Sequence, residues 1–348
     1  MLEEKKHFFR DQLLDWYQPE DRPLPWKNDK NTYAIWVSEI MLQQTRTDQV
    51  RPYYQRFFKY FPDLQSLAEA NEDTVLHFWQ GMGYYNRARN LLKAAKHIYF
   101  EFEGRYPEDY HAWIGIPGVG PYTAAAITSF SYNQPNAVLD GNVFRVLSRY
   151  FGVNTPIDSQ EGKKLFQELS YQLLDKNNPG LYNQAIMDFG ATVCKARNPK
   201  CEICPFQQNC TAILEDKVAF YPVKQKRTQK KKVKLYYLHL TDGKRVFIKK
   251  RSTSGIWPGL YEFPDFESRA KMIGDLQLLF PKEKIKLKKT ADLRHQLTHR
   301  DIKAIIYQCH LNTTDLEKKK DWLLVETENL TNFAFHQLMK KYFRIFNH

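Results

Sequence analysis

The chain has no apolar run approaching the ~18 residues that a membrane span requires. It also lacks the leader of a secreted protein: Met1 to Phe9 carries Glu3, Glu4, Lys5 and Lys6 where a signal peptide needs a long apolar core. These absences predict a soluble, cytoplasmic protein with no membrane partner. Cysteine is scarce, five in 348 residues, and a chain of this length buries real cores without disulfide staples. There is no internal repeat and no low-complexity tract beyond one lysine-rich stretch. A composition of 43% hydrophobic and 26% charged residues excludes a disordered or collagen-like chain. The length leaves room for about two domains at roughly 150 residues each.

Acidic residues are outnumbered, and the formal charge is +13. Its distribution says more than its size. From Pro222 to Arg251 there are twelve Lys or Arg against the single acid Asp242, so this stretch holds +11 of the total. Such a segment is either a solvated spacer kept extended by its charge or a strip that contacts phosphate.

The pattern of apolar residues changes at Tyr221. Before it, spacing is helical, as in Phe9, Leu13 and Trp16, and in Val143, Val146, Leu147 and Tyr150. After the stretch Lys224 to Lys232, Val233, Leu235, Tyr237 and Leu240 lead through Asp242-Gly243 to Val246, Phe247 and Ile248, which predicts a β-hairpin. Ala304 to Tyr307 is a further strand candidate, and Met272 to Phe280 and Phe335 to Phe346 have helical spacing. The expected organisation is a helical domain over 1–220, a basic linker over 221–232 and a mixed α and β domain over 233–348.

Four of the cysteines, Cys194, Cys201, Cys204 and Cys210, fall in a C-x6-C-x2-C-x5-C cluster. Inside a cell this reads as a metal site rather than two disulfides. Zinc sites usually present two close pairs; only Cys201 and Cys204 are close here, and four thiolates on one compact loop suit a [4Fe-4S] cube. Spacing favours the cube and leaves zinc open. Cys309 stands alone in an apolar strand candidate and is expected in a core.

Ile116-Pro117-Gly118-Val119-Gly120-Pro121-Tyr122 lies between two helical segments. Glycines there allow a tight turn, and the free N–H groups opening the next helix can face a phosphate; the same residues would also serve an ordinary turn. Glu39 interrupts the apolar helix Ile35 to Gln44. It either faces solvent or is held among apolar neighbours with a raised pKa, able to donate a proton near neutrality. Asp140 follows Ala137-Val138-Leu139 and precedes Gly141-Asn142 and a helix, where it could be a helix N-cap. As a pair, the two carboxyls meet the needs of N-glycosidic hydrolysis: one acid protonates the leaving base and one carboxylate stabilises the oxocarbenium-like sugar.

Leu24-Pro25-Trp26, the Glu39 helix with Met41-Leu42-Gln43-Gln44-Thr45, Gly83-Tyr84-Tyr85, the hairpin with Tyr122, Leu139-Asp140-Gly141-Asn142-Val143 and the cysteine loop occur in that order. In this the chain resembles the adenine DNA glycosylases, densely over residues 1 to about 220 and more loosely beyond. The resemblance implies a multidomain fold: an all-α helix-hairpin-helix glycosylase domain whose loop 194–210 carries a [4Fe-4S] cluster, then an α+β Nudix-like domain that reads the lesion. It implies a DNA repair enzyme, a monomer on double-stranded DNA, that flips and excises adenine opposite 8-oxoguanine or guanine. By the same resemblance Glu39 is the acid, Asp140 the stabilising carboxylate, and Asn142 and Tyr122 position those groups. Gln44 and Tyr84 enter the duplex where the adenine leaves, Gly118 and Gly120 grip phosphate, Trp26 and Lys27 belong to the adenine pocket, and Cys194, Cys201, Cys204 and Cys210 ligate the cluster. A flipped base costs a few kcal/mol, which is why a wedge and a pocket are needed.

Four features bear on the match. Tyr122 stands where the endonuclease III branch has a Schiff-base lysine, which implies a monofunctional glycosylase with little strand cleavage. Leu297-Thr298-His299 corresponds to the family's Phe-Ser-His lesion probe, with Thr298 keeping a hydroxyl, His299 retained, and Leu297 offering no aromatic ring. Lys27 replaces the arginine of many relatives and has no planar fork. The Glu-rich Nudix metal box is absent around Trp257 to Arg269, so nucleotide hydrolysis is not expected. Against the adenine-specific reading stand a bifunctional pyrimidine glycosylase/lyase, disfavoured by Tyr122, and a cluster-bearing DNA-binding protein without catalysis, disfavoured by the Glu39 and Asp140 pair.

Overall fold

The computed structural model describes residues 2–18, 22–27, 31–225, 230–281, 283–297, 299–311 and 321–346. Thr298 and positions 226–229 of the expected linker lie outside the described residues. Among the described residues, twelve α-helices occupy the first two-thirds: α1 (Leu2–Trp16), α2 (Thr32–Leu42), α3 (Thr47–Tyr60), α4 (Leu64–Ala68), α5 (Glu72–Trp79), α6 (Asn86–Lys96), α7 (Tyr110–Gly115), α8 (Pro121–Tyr132), α9 (Gly141–Phe151), α10 (Gln160–Leu173), α11 (Pro179–Thr192) and α12 (Thr211–Leu214). Strands follow: β1 (Lys231–Thr241), β2 (Arg245–Lys250), β3 (Tyr261–Glu262), β4 (Asp265–Phe266), then α13 (Arg269–Leu279), β5 (Lys288–Gln296), β6 (Arg300–His310), β7 (Trp322–Glu326) and α14 (Gln337–Phe346).

The chain forms two compact units, one of Met1–Glu69 with Asn90–Arg227, the other of Ala70–Arg89 with Thr228–His348. The second unit thus includes α5 and its flanking loops together with the C-terminal residues.

In the first unit, helix starts are written locally. Asn31 accepts from the Tyr33 and Ala34 amides at the head of α2, Asp109 caps α7, and Ser159 caps α10. The predicted face of α9 is realised, with Val143, Val146, Leu147 and Tyr150 all buried. They join Phe9 and Leu13 of α1 in one core that also takes in Phe166, Tyr182 and Phe206. α9 ends at Gly152, whose φ of +68° suits glycine at a helix C-terminus.

In the second unit the strand order is β3-β2-β1-β6-β5, with β4 on β1 and β7 on β2. β1 and β2 form the predicted antiparallel hairpin, and β1 runs parallel to β6 from Lys231↔Arg300 to Thr241↔His310. Lys231 and Lys232, expected in the linker, are thus strand residues. Alternation along β1 supplies both faces of the sheet. Leu238 and Leu240 pack with Met272 and Leu276 of α13 and with Cys309, whereas His239 faces α14, its Nδ1 2.8 Å from the Tyr342 hydroxyl. No helix among the described residues is long and apolar enough to cross a membrane.

Candidate active site

The first unit encloses a cavity of about 590 Å³, within the ~300–1,000 Å³ usual for small-ligand sites. Trp26, Lys27, Glu39, Tyr122, Asp140 and Asn142 all line it. The structure therefore brings together six residues that lie up to 116 positions apart in sequence.

Glu39 sits one turn before the end of α2, and only 4% of it is exposed. Its Oε2 accepts a 2.7 Å hydrogen bond from the Tyr122 hydroxyl. Burial pushes the Glu39 carboxyl up to about 7; the Tyr122 bond opposes the rise and the charge of Asp140 adds to it. Burial, reinforced by Glu39 and Asp140, holds the Tyr122 phenol well above its ordinary value, so it remains a donor.

Asp140 is both the cap of α9 and a wall of the cavity. Its Oδ1 accepts from the Asn142 and Val143 amides, each at 2.8 Å, and its Oδ2 accepts from Asn142 Nδ2 at 2.7 Å. Burial raises its pKa, while these three bonds and Arg145 oppose the rise. Three donors aimed at the two oxygens suit an ionised carboxylate, which is an acceptor only. The cap fixes the orientation in which the carboxylate faces the cavity.

Asn142 passes the network to Arg145. The Arg145 Nη2 donates to Asn142 Oδ1 at 2.8 Å and to the Gly190 carbonyl at 2.7 Å, while its Nε donates to the Cys194 carbonyl at 2.7 Å. One turn on, Arg149 donates to the Lys195 carbonyl at 2.7 Å and lies 3.4 Å from Cys194 Sγ. Helix α9 thus joins the cavity to the cysteine loop. Arg145 and Arg149 were missed in the sequence, where they read as ordinary basic residues on an amphipathic helix.

Cys194, Cys201, Cys204 and Cys210 wall a second, small cavity together with Arg149, Val193 and Pro199. Among the described residues, no group of three or more His, Cys, Asp or Glu is gathered in a way that would hold a single metal ion. Four thiols around one shared space are the donor set that a [4Fe-4S] cluster uses. Arg149 beside Cys194 would donate a hydrogen bond to that sulfur once it ligates a cluster.

Lys27 lines the cavity as expected, yet its charge is already engaged. Its Nζ lies 2.9 Å from Asp188 Oδ2, and Arg22 pairs with the other oxygen of the same carboxylate. Arg22 also donates to Thr47 at 2.9 Å. Asp188 and Arg22 were not singled out from the sequence, and nothing local marks them. Trp26 is buried edge-on against Tyr54, with ring centroids 5.2 Å apart.

The other expected DNA contacts lie elsewhere. Gly118, with φ of +79°, has room for no side chain: a Cβ would come within 2.5 Å of Asn90 Cβ. A Cβ on Gly120 would meet nothing within 4 Å. Gly120 precedes Pro121 at the start of α8, which has no side-chain cap. Gln44 is exposed with φ of +56°, and Tyr84 is 47% exposed with φ of +49°. Such backbone is rare for these residue types and clusters at functional sites. In the second unit, Leu297 N donates to Arg300 O at 2.8 Å across the β5–β6 turn, where His299 is exposed.

Residues 37–171 match the family model of the HhH-GPD superfamily of base excision DNA repair proteins. Residues 194–210 match the iron-sulfur binding domain of endonuclease III, and residues 236–344 match the NUDIX domain. The adenine DNA glycosylase of Buchnera aphidicola subsp. Schizaphis graminum is 35% identical over 98% of this chain and 99% of its own. That of Buchnera aphidicola subsp. Baizongia pistaciae is 38% identical over 84% of this chain and 83% of its own. Among solved structures, a thermostable thymine-DNA glycosylase superposes with a TM-score of 0.56 at 28% identity, covering 61% of this chain and 98% of that one.

Proposed function

The chain belongs to the adenine DNA glycosylase family, and from that premise we propose that it removes adenine mispaired with 8-oxoguanine or guanine, by acid-assisted hydrolysis and without strand cleavage. It is a base excision repair enzyme that hydrolyses N-glycosidic bonds in DNA, and its loop 194–210 holds a [4Fe-4S] cluster.

The observation that carries the mechanism is the Tyr122–Glu39 hydrogen bond of 2.7 Å inside a cavity that Asp140 also lines. With a pKa raised to about 7, Glu39 still holds a proton near neutrality. It delivers that proton to the flipped adenine as the bond to the sugar breaks and its electron pair leaves with the base. The Tyr122 hydroxyl then donates to a Glu39 carboxylate. Asp140, held as a carboxylate by Asn142 and two backbone amides, stabilises the sugar cation. Water adds at C1′ and returns a proton to Glu39. Tyr122 has no amine with which to form a Schiff base, which supports a monofunctional reaction.

Around this centre, Trp26 and the Lys27–Asp188 pair shape the adenine pocket. Gln44 and Tyr84 enter the duplex, Gly118 and Gly120 admit a phosphate to the start of α8, and Leu297, Thr298 and His299 meet the opposite base. Cys194, Cys201, Cys204 and Cys210 ligate the cluster, whose role is to clamp the loop bearing Lys195, Arg197 and Lys200. The enzyme works as a monomer, with a helical domain over 1–220 and a lesion-reading domain over 233–348.

Replacing Glu39 by Gln keeps the shape and removes the acid. Glu39→Gln should abolish adenine release from an adenine:8-oxoguanine duplex while leaving duplex affinity within about threefold, since little of the binding energy rests on the acid. Adenine release by this variant at a rate near that of the parent enzyme would remove Glu39 from the role of acid.

A further inference from the structure

Residues 70–89 are distant in sequence from the C-terminal domain, yet share its compact unit. At the start of α5, Asp73 pairs with Lys250 at 2.5 Å and accepts from the Tyr261 hydroxyl at 3.2 Å. At the other end lies the loop Gln80 to Tyr85. Its backbone is held far from ordinary values, with φ of +104° at Gly81, +82° at Gly83 and +49° at Tyr84. Glycine adopts positive φ freely, but at a tyrosine such backbone is uncommon and persists only where its surroundings hold it.

Part of that support is local. Trp79 Nε1 and Arg87 Nη2 both donate to the Gly83 carbonyl, at 3.1 and 3.2 Å, and the Gly81 amide donates to the Tyr85 hydroxyl at 3.2 Å. The Arg87 guanidinium also lies over the Tyr84 ring, 5.4 Å from its centroid. The rest comes from the C-terminal domain. Gln337 Nε2 donates to the Gly81 carbonyl at 3.1 Å, and Gln80 Nε2 donates in the opposite direction to the Phe335 carbonyl at 3.3 Å. Gly81 is buried, so its carbonyl is badly placed to take water instead.

The far side of this double link is closely packed. Phe335 and Gln337 flank His336, which is fully buried, stacked on Trp257 with centroids 4.0 Å apart, and 3.3 Å from Glu262 Oε2. The adjacent backbone is bridged to β3, where the Tyr261 amide donates to the Ala334 carbonyl at 2.9 Å.

We propose that Gln80 and Gln337 are positioning residues for base extrusion: by two reciprocal amide-to-carbonyl hydrogen bonds, the C-terminal domain holds the loop 81–84 in the conformation that presents Tyr84 to DNA. The proposal rests on the reading of Tyr84 as a residue that enters the duplex. It gives the C-terminal domain a part in the rate of base removal, apart from its contacts with the opposite base.

The test uses the full-length holoenzyme in single-turnover excision from an adenine:8-oxoguanine duplex, with 2-aminopurine beside the adenine to report unstacking. Gln337→Glu is isosteric and removes the donor; it should slow excision about tenfold, the loss of one hydrogen bond to a buried carbonyl, and should lower the fluorescence amplitude. Gln337→Lys restores a donor and should recover to within about threefold. Gln80→Glu removes the second bond and carries the same expectation should Gln337→Glu fail to fold. In a Tyr84→Ala background, Gln337→Glu should change the rate by less than about twofold, because the two residues act as one unit. Excision by Gln337→Glu at the parental rate, or the same tenfold loss with Tyr84 removed, would overturn the proposal while leaving the role of Tyr84 intact. Parental excision by Tyr84→Ala alone would instead overturn the reading of Tyr84, and the proposal with it.

Discussion

Burial favours the protonated form of Glu39, and the same preference governs both its reactivity and its cost to the fold. With the carboxyl raised from 4.5 to about 7, excision should fall as pH rises through about 7, which a single-turnover pH profile would show. Tyr122→Phe removes the hydrogen bond that opposes the shift, so the falling limb should move to higher pH; a move to lower pH would contradict the assignment. For stability the sign follows from proton binding. Between the unfolded value near 4.5 and the folded value near 7 the native state binds more protons, so the contribution of Glu39 is complete below 4.5 and lost as pH rises through 7. Glu39→Gln should accordingly be more stable than the parent at pH 8 by up to roughly 3 kcal/mol, and should lose that advantage near pH 4, as thermal melts at the two values would show. Glu39 was legible in the sequence because a lone carboxyl among apolar helix residues is conspicuous. The sharing of Asp188 by Lys27 and Arg22 was not, since that partnership joins residues more than 160 positions apart.

Helix α9 is the element on which the two sites depend together. Its first residue follows Asp140, its next turn carries Arg145, and the turn after carries Arg149, so one rigid rod joins the carboxylate to the loop 194–210. Helix α11 presses against its start. A Cβ on Gly190 would come within 2.6 Å of Asn142 Cβ and 3.2 Å of its Cα. Gly190→Ala must therefore move Asn142 or the head of α9, at a cost of about 1–3 kcal/mol. It should slow excision about tenfold or more through misplacement of Asp140, with cluster absorbance retained; unchanged excision would show that this contact yields freely. The apolar spacing of α9 could be read directly, and its cap could be guessed, because both are local. That Arg145 and Arg149 point at carbonyls 45 to 69 positions away follows from how α9 packs on its neighbours, which spacing does not encode.

At the scale of the whole molecule, composition identified a basic stretch and a change from helices to strands, and the described residues turn from helix to strand between α12 and β1. It could not show that residues 70–89 pack with the C-terminal unit, since that is a choice between partners made by Asp73, Gln80 and Gly81 rather than by any periodicity. The stretch Lys224 to Lys234 should contact phosphate: neutralising its lysines should make DNA affinity less dependent on salt, by about 0.9 in log–log slope for each phosphate that is no longer paired with a cation, and an unchanged slope would leave it a spacer. Cys201→Ser should lose the visible absorption and the roughly four irons per chain expected of a cube, whereas full iron content in the variant would exclude Cys201 as a ligand. The central claim is that Glu39, Tyr122 and Asp140 release adenine by hydrolysis without cutting the strand. It is tested most directly by single-turnover reaction with a duplex holding one adenine opposite 8-oxoguanine, with breaks scored before and after hot alkali. Breaks at the adenine only after alkali are the predicted result, while breaks without alkali, or none despite tight binding, would contradict it.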